Sequence, residues 1–136
     1  MYVNPSPGNV KSFDMTKNIL VVDDEPNIVL SLEFLMKQQG YAVRSAVDGD
    51  SAMKEVERDP PNIVLLDVSM PGRSGFEVCE AIRANPAWNQ MRILIVTGKG
   101  RDEDRERGLS LGADGYVIKP FETQDIVAKV KELLGE

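Results

Sequence analysis

Side chains able to do phosphate and metal chemistry stand at the ends of short apolar runs in this sequence. Asp23, Asp24 and Glu25 follow "ILVV", Asp67 follows "IVLL", Thr97 follows "ILIV" and Lys119 follows "YVI". A carboxylate is costly to desolvate, so an aspartate placed directly after a buried run needs a reason. Taken singly, each residue has an ordinary one. Asp24 or Glu25 before Pro26 can open a helix. Asp67 can cap a turn, Thr97 can bond nearby backbone, and Lys119 can be a solvated charge. Taken together they describe a different chemistry. Crowded carboxylates raise one another's pKa, and a divalent cation relieves that repulsion. An all-oxygen site with few protein ligands suits Mg²⁺, which keeps waters and accepts phosphate oxygens. A carboxylate beside it can attack phosphorus to form an aspartyl phosphate. Charge on the phosphoryl oxygens then calls for donors and cations, which Thr97, Lys119 and the metal supply.

The elements that must position these groups are legible in the hydrophobic pattern. Strands are expected over 18–22, 41–46, 62–68, 92–97 and 115–119. Helices are expected after each, ending near Gly40 and over 50–58, 74–84, 101–112 and 123–134. The first helix carries Ile28, Val29, Leu32, Leu35 and Met36 on one face, and the last carries Ile126, Val127, Val130, Leu133 and Leu134. Strands 1, 3 and 4 are near-continuous apolar runs, as in a parallel sheet covered on both faces by helices. Right-handed crossovers then bring all strand C-terminal ends to one edge. In such a sheet the ligand crevice lies outside those ends, where strand order reverses. The helix over 101–112 is the weakest, because "RDEDRER" offers almost no apolar face and Gly108 interrupts it.

Composition narrows the function classes. The chain has 136 residues, enough for one domain with a real core. Its net charge of −6 argues against a nucleic-acid footprint. With no histidine and one cysteine, Cys79, it can hold neither a His-based triad, a His metal site nor an internal disulfide, and it suits a reducing cytoplasm. No stretch approaches a membrane span. Residues 1–17 read as a flexible N-terminal tail, with Met15 able to serve as an alternative start, and 18–136 as the single domain. The end "ELLGE" reads as natural, which favours a stand-alone domain over one cut from a longer regulator.

The pieces "ILVVDDEPNI", "IVLLDVSMPGRSGFE", "ILIVTGKG" and "LGADGYVIKPF", in that order, resemble the receiver domain of two-component response regulators. The spacing of 30 positions from Asp67 to Thr97 and 22 from Thr97 to Lys119 agrees with the resemblance, which covers 18–134. It implies a flavodoxin-like doubly wound α/β fold, five parallel strands in the order 2-1-3-4-5 with five helices. It implies Asp67 as phosphoacceptor, with Asp23, Asp24, Asp67 and the carbonyl of Ser69 around Mg²⁺, and Asp24 rather than Asp23 as direct ligand. Thr97 would hydrogen-bond the phosphoryl group. Lys119 would pair with Asp67 and then with the phosphoryl oxygens, aimed by a cis Lys119–Pro120 bond. Thr97 and Tyr116 would form the switch that alters the face of helix 4, strand 5 and helix 5. The phosphodonor would be a sensor histidine kinase or a histidine phosphotransfer protein, and the listener a downstream effector or a second copy in a phosphorylation-dependent homodimer. The implied role is a cytoplasmic signalling switch rather than an enzyme, with neither nucleic acid nor membrane as direct partner.

Departures from the family pattern qualify this. Gly98 replaces a slightly larger residue, and Gly115 and Lys129 weaken the charge-linked dimer of transcription-factor receivers. The resemblance also implies that Ser69 and Lys99 would flank the line of attack on phosphorus. Two other readings compete. An aspartyl-phosphate phosphohydrolase needs an acidic residue two positions after the nucleophile, where Ser69 cannot act as acid or base. A receiver-fold binding module without phosphorylation is disfavoured by the intact Asp23, Asp24, Asp67, Thr97 and Lys119 set. A dinucleotide-binding domain lacks its G-x-G-x-x-G after strand 1.

Overall fold

The computed structural model describes residues 16–136; the expected tail falls almost wholly on residues outside them. Five strands alternate with five helices. They are β1 (Asn18–Val22), α1 (Pro26–Gln38), β2 (Ala42–Ala46), α2 (Gly49–Arg58), β3 (Ile63–Leu66), α3 (Gly75–Arg83), β4 (Arg92–Thr97), α4 (Asp102–Ser110), β5 (Gly115–Ile118) and α5 (Thr123–Leu133), with a 3-10 turn at Pro86–Trp88. All pairings are parallel and the sheet order is β2-β1-β3-β4-β5, as the resemblance implies.

The continuous apolar runs are explained by period two acting on both faces at once. Leu20, Val22, Val64, Leu66, Ile93 and Ile95 point to one core, closed by Ala52 and Val56 of α2 and Val78 and Ile82 of α3. Ile19, Val21, Ile63, Leu65, Leu94 and Val96 point to the other, closed by Leu32 and Met36 of α1 and Ile126 and Val130 of α5. β2 lies on the edge and is less apolar. Its Arg44 reaches across to Glu55 at 2.7 Å and to the Asp59 carbonyl.

Helix starts follow local chemistry. Ser74 and Glu77 form a reciprocal capping box on α3, and Asp48 with Ser51 does the same on α2. α1 begins at Pro26 with no side-chain cap. Its expected capping carboxylates, Asp24 and Glu25, therefore do something else. α4 is shorter than the pattern suggests. It ends before Gly112, whose φ of 108° is the left-handed conformation that stops a helix. Gly108 is its one buried residue.

The sheet reverses direction of winding between β1 and β3, so a crevice opens beyond their C-terminal ends. The ladder continues one step past the strands there. Asp67 N–H donates to the Val22 carbonyl at 2.9 Å, and Asp23 N–H to the Ala46 carbonyl at 3.2 Å. On the far side Lys119 N–H donates to the Thr97 carbonyl at 2.8 Å. The backbones of the reactive residues thus belong to the rigid sheet, while their side chains face the crevice or the loops around it.

Candidate functional site

Asp23 and Asp67 are buried, only 2% and 3% exposed. What compensates their desolvation is Lys119. Its Nζ donates to Asp23 Oδ2 at 2.8 Å and to Glu25 Oε1 at 2.8 Å. It lies 3.7 Å from Asp67 Oδ2, within ion-pair reach but beyond hydrogen-bond distance. The expected Lys119–Asp67 pair is therefore present, yet the two short bonds go to the β1 acids. The Lys119–Pro120 peptide is cis.

Asp67 Oδ1 accepts from Ser69 N–H at 3.1 Å, and Asp23 Oδ1 accepts from Glu25 N–H at 2.9 Å. Both are aspartates bonded to their own backbone two residues on, a turn habit of this side chain. Each turns its second oxygen toward Lys119, at 2.8 Å for Asp23 and 3.7 Å for Asp67. Burial pushes the Asp23 carboxyl above its ordinary pKa, and the hydrogen bonds from Lys119 and the Glu25 backbone oppose this without reversing it. Burial also works to lower the Lys119 ammonium. Its bonds to Asp23 and Glu25 and the charge of Asp67 outweigh that and hold it above the usual lysine value. Lys119 therefore stays charged at neutral pH.

One oxygen each of Asp23, Glu25 and Asp67 lies within 4.8 Å of the others. Asp24 and Ser69 are exposed and line the open cleft of about 560 Å³ above this cluster, with Glu25, Ile28, Asp67, Gly98, Lys119 and Pro120. All four carboxylates and the Ser69 carbonyl are hard oxygen donors, the set a small divalent cation prefers. One ammonium cannot neutralise three clustered carboxylates, so the residues present fit such a cation.

Thr97 is fully buried at the end of β4. Its Oγ1 accepts from Lys99 N–H at 3.4 Å. Tyr116, on β5, donates its hydroxyl to the Lys99 carbonyl at 2.6 Å. The two residues the sequence pairs as a switch are thus joined through the backbone of Lys99, which the sequence reading does not assign to that task. Backbone atoms leave no trace in residue type, so no signal could have shown it. The Tyr116 ring packs beneath α4, where a methyl on Gly108 would lie 3.3 Å from it and 2.6 Å from Ile95 Cδ1. Arg105 of α4 lies 5.3 Å from the ring centroid, in cation–π range. Gly108 is therefore more than a weak point in α4: it permits the helix's closest approach to the sheet.

Glu25 is the other residue the sequence reading leaves without a role beyond opening α1. Its signal was available as a third consecutive acid at a strand end, but only the fold aims it at Lys119.

A family model for the response regulator receiver domain matches residues 19–131. The chain belongs to the response regulator receiver domain family. Solved receivers agree with the architecture. A CheY-like response regulator receiver domain protein from Methanospirillum hungatei JF-1 is 32% identical, with 88% of this chain and 94% of that one covered and a TM-score of 0.81. The beryllofluoride-activated DrrB receiver domain is 31% identical, with 90% and 100% covered and a TM-score of 0.81. The chemotaxis protein CheY4 of Vibrio cholerae is 27% identical, with 87% and 98% covered and a TM-score of 0.82. This receiver therefore shares its fold with these solved receivers. Among its described residues no helix is long and apolar enough to cross a membrane.

Proposed function

We propose that this receiver is a phosphorylatable signalling switch rather than an enzyme with a separate substrate. Asp67 takes a phosphoryl group from a sensor histidine kinase or a histidine phosphotransfer protein in the cytoplasm. One carboxylate oxygen of Asp67 attacks phosphorus as the bond from phosphorus to the donor atom breaks, and the electron pair leaves on the donor. Lys119 turns from the acids it holds toward the phosphoryl oxygens, and Thr97 donates its hydroxyl to them. Asp24, Asp67 and the Ser69 carbonyl would hold Mg²⁺, with Asp23 and Glu25 beside it. The ion, when bound, supplies positive charge for the phosphoryl oxygens. Movement of Thr97 pulls on Lys99 and so on Tyr116. That shifts α4, which packing holds weakly, and with it the α4/β5/α5 face that an effector or a second copy would read.

The observation that carries this reading is the meeting of buried Asp67 and charged Lys119 in one cleft, with buried Asp23 bonded to Lys119 beneath it, at the point where strand order reverses. Intact-mass spectrometry after incubation with Mg²⁺ and acetyl phosphate tests it. Wild type should gain one phosphoryl group, and Asp67→Asn none. Equal incorporation by the variant sinks the assignment.

A further inference from the structure

Lys119 has three N–H donors and, in the resting protein, spends two of them away from the acceptor. Its Nζ is 2.8 Å from both Asp23 and Glu25 but 3.7 Å from Asp67. The two holding partners differ in kind. Asp23 is buried and fixed, its backbone in the sheet ladder and its other oxygen bonded to Glu25 N–H. The Glu25 side chain is 61% exposed, caps nothing on α1, and makes the Lys119 contact as its one ion pair among the described residues. It can swing into solvent at little cost, whereas Asp23 cannot.

We propose that Glu25 is a positioning residue that restrains Lys119, holding the ammonium off the phosphoryl position until the donor arrives, and so slows phosphorylation of Asp67. The inference rests on the function proposed above. Nζ now stands 3.7 Å from Asp67 Oδ2, so in this proposal it moves toward the phosphoryl oxygens as they arrive, and the Nζ–Oε1 contact lengthens as it does. The energy of that contact therefore adds to the barrier and is absent from the phosphorylated product. Being a partly exposed ion pair, it is a modest restraint. A carboxylate at this place has an opposite effect available to it. As a further metal ligand it would strengthen cation binding and speed the reaction, so its sign can be measured.

Glu25→Gln keeps the side chain's length and removes the charge. Because the residue is exposed at a helix start, the variant should melt as wild type does. In the metal-free protein, trace acylation of lysines followed by peptide mass spectrometry should show Lys119 reacting about two- to fivefold faster in the variant, the range an exposed ion pair supports. Lys37 and Lys54 serve as internal standards. With saturating Mg²⁺ and acetyl phosphate, phosphorylation of Asp67 should accelerate by a similar factor. A variant rate equal to wild type or unchanged Lys119 acylation overturns the restraint. So does a slower rate with weakened Mg²⁺ binding by calorimetry, which would make Glu25 a metal ligand. If wild type takes no phosphate at all, the function proposed above fails and this inference with it. A phosphorylated wild type with an indifferent variant removes only the role of Glu25.

Discussion

Gly75 opens α3, and helix propensity alone says that alanine there should stabilise the protein, by up to about 1 kcal/mol. The tertiary structure reverses the sign. A methyl on Gly75 would lie 2.2 Å from the Asp67 carbonyl oxygen, 2.7 Å from Val68 Cα and 2.8 Å from the Asp67 carbonyl carbon. Ordinary carbon contacts lie at about 3.5–4.0 Å, so the neighbours must retreat by roughly 1 Å. They are backbone atoms at the end of β3 and have no rotamer to escape into. Overpacking of this kind costs about 1–3 kcal/mol. Contacts of 2.2–2.8 Å against backbone put this case in the upper part of that range, so after the propensity gain Gly75→Ala should lose about 1–2 kcal/mol, or roughly 3–10 °C in Tm for a domain of this size. Gly98→Ala is the control, since nothing lies within 4 Å of its added methyl; it should stay within about 0.5 kcal/mol of wild type. Urea and thermal unfolding of both variants read the difference. Because the strain falls on the Asp67 backbone, phosphorylation by acetyl phosphate should also slow in Gly75→Ala. A Gly75→Ala protein as stable as wild type would refute the reasoning that α3 is docked directly on the acceptor's backbone.

Two further outcomes follow from single contacts. Tyr116→Phe removes the donor to the Lys99 carbonyl, and should cost about 0.5–1.5 kcal/mol. It should speed amide exchange over 98–100 and blunt the change in protection over 98–121 that beryllofluoride brings; a full wild-type response in the variant would return Tyr116 to simple packing. At high pH, Tyr41 is pushed up to about 12 by burial and by the Glu136 carboxylate its hydroxyl donates to at 2.7 Å, and burial pushes Cys79 up to about 11. Both groups are raised acids, so the stability they lend is full below their ordinary values, near 10 for Tyr41 and 9 for Cys79, and is lost as pH climbs through the raised ones. Unfolding free energy should fall between pH 9 and 12, and Tyr41→Phe should flatten the part above pH 10; an identical slope in the variant would contradict the Tyr41–Glu136 contact.

Much of this protein was legible in its residues because the signals are local or periodic. The apolar runs at β1, β3 and β4 state burial on both faces, and i, i+3, i+4 patterns mark α1 and α5. The serial placement of Asp23, Asp67, Thr97 and Lys119 at run ends puts all four at one sheet edge as soon as the strands are parallel. Strand order is a different matter: local pattern is the same for any arrangement of five β–α units, and the resemblance supplied it. Tertiary structure alone decided which acids Lys119 holds, because Glu25 reaches it across 94 positions of sequence. It alone turned Gly75 and Gly108 from helix weaknesses into close-approach points, since what a missing Cβ makes room for is another segment's atoms. It also joined Thr97 to Tyr116 through the backbone of Lys99, whose amide and carbonyl are common to every residue type. Chemistry borne by side chains at strand ends can be read along the chain; distances between segments, and the partners of backbone groups, exist only once the chain has folded.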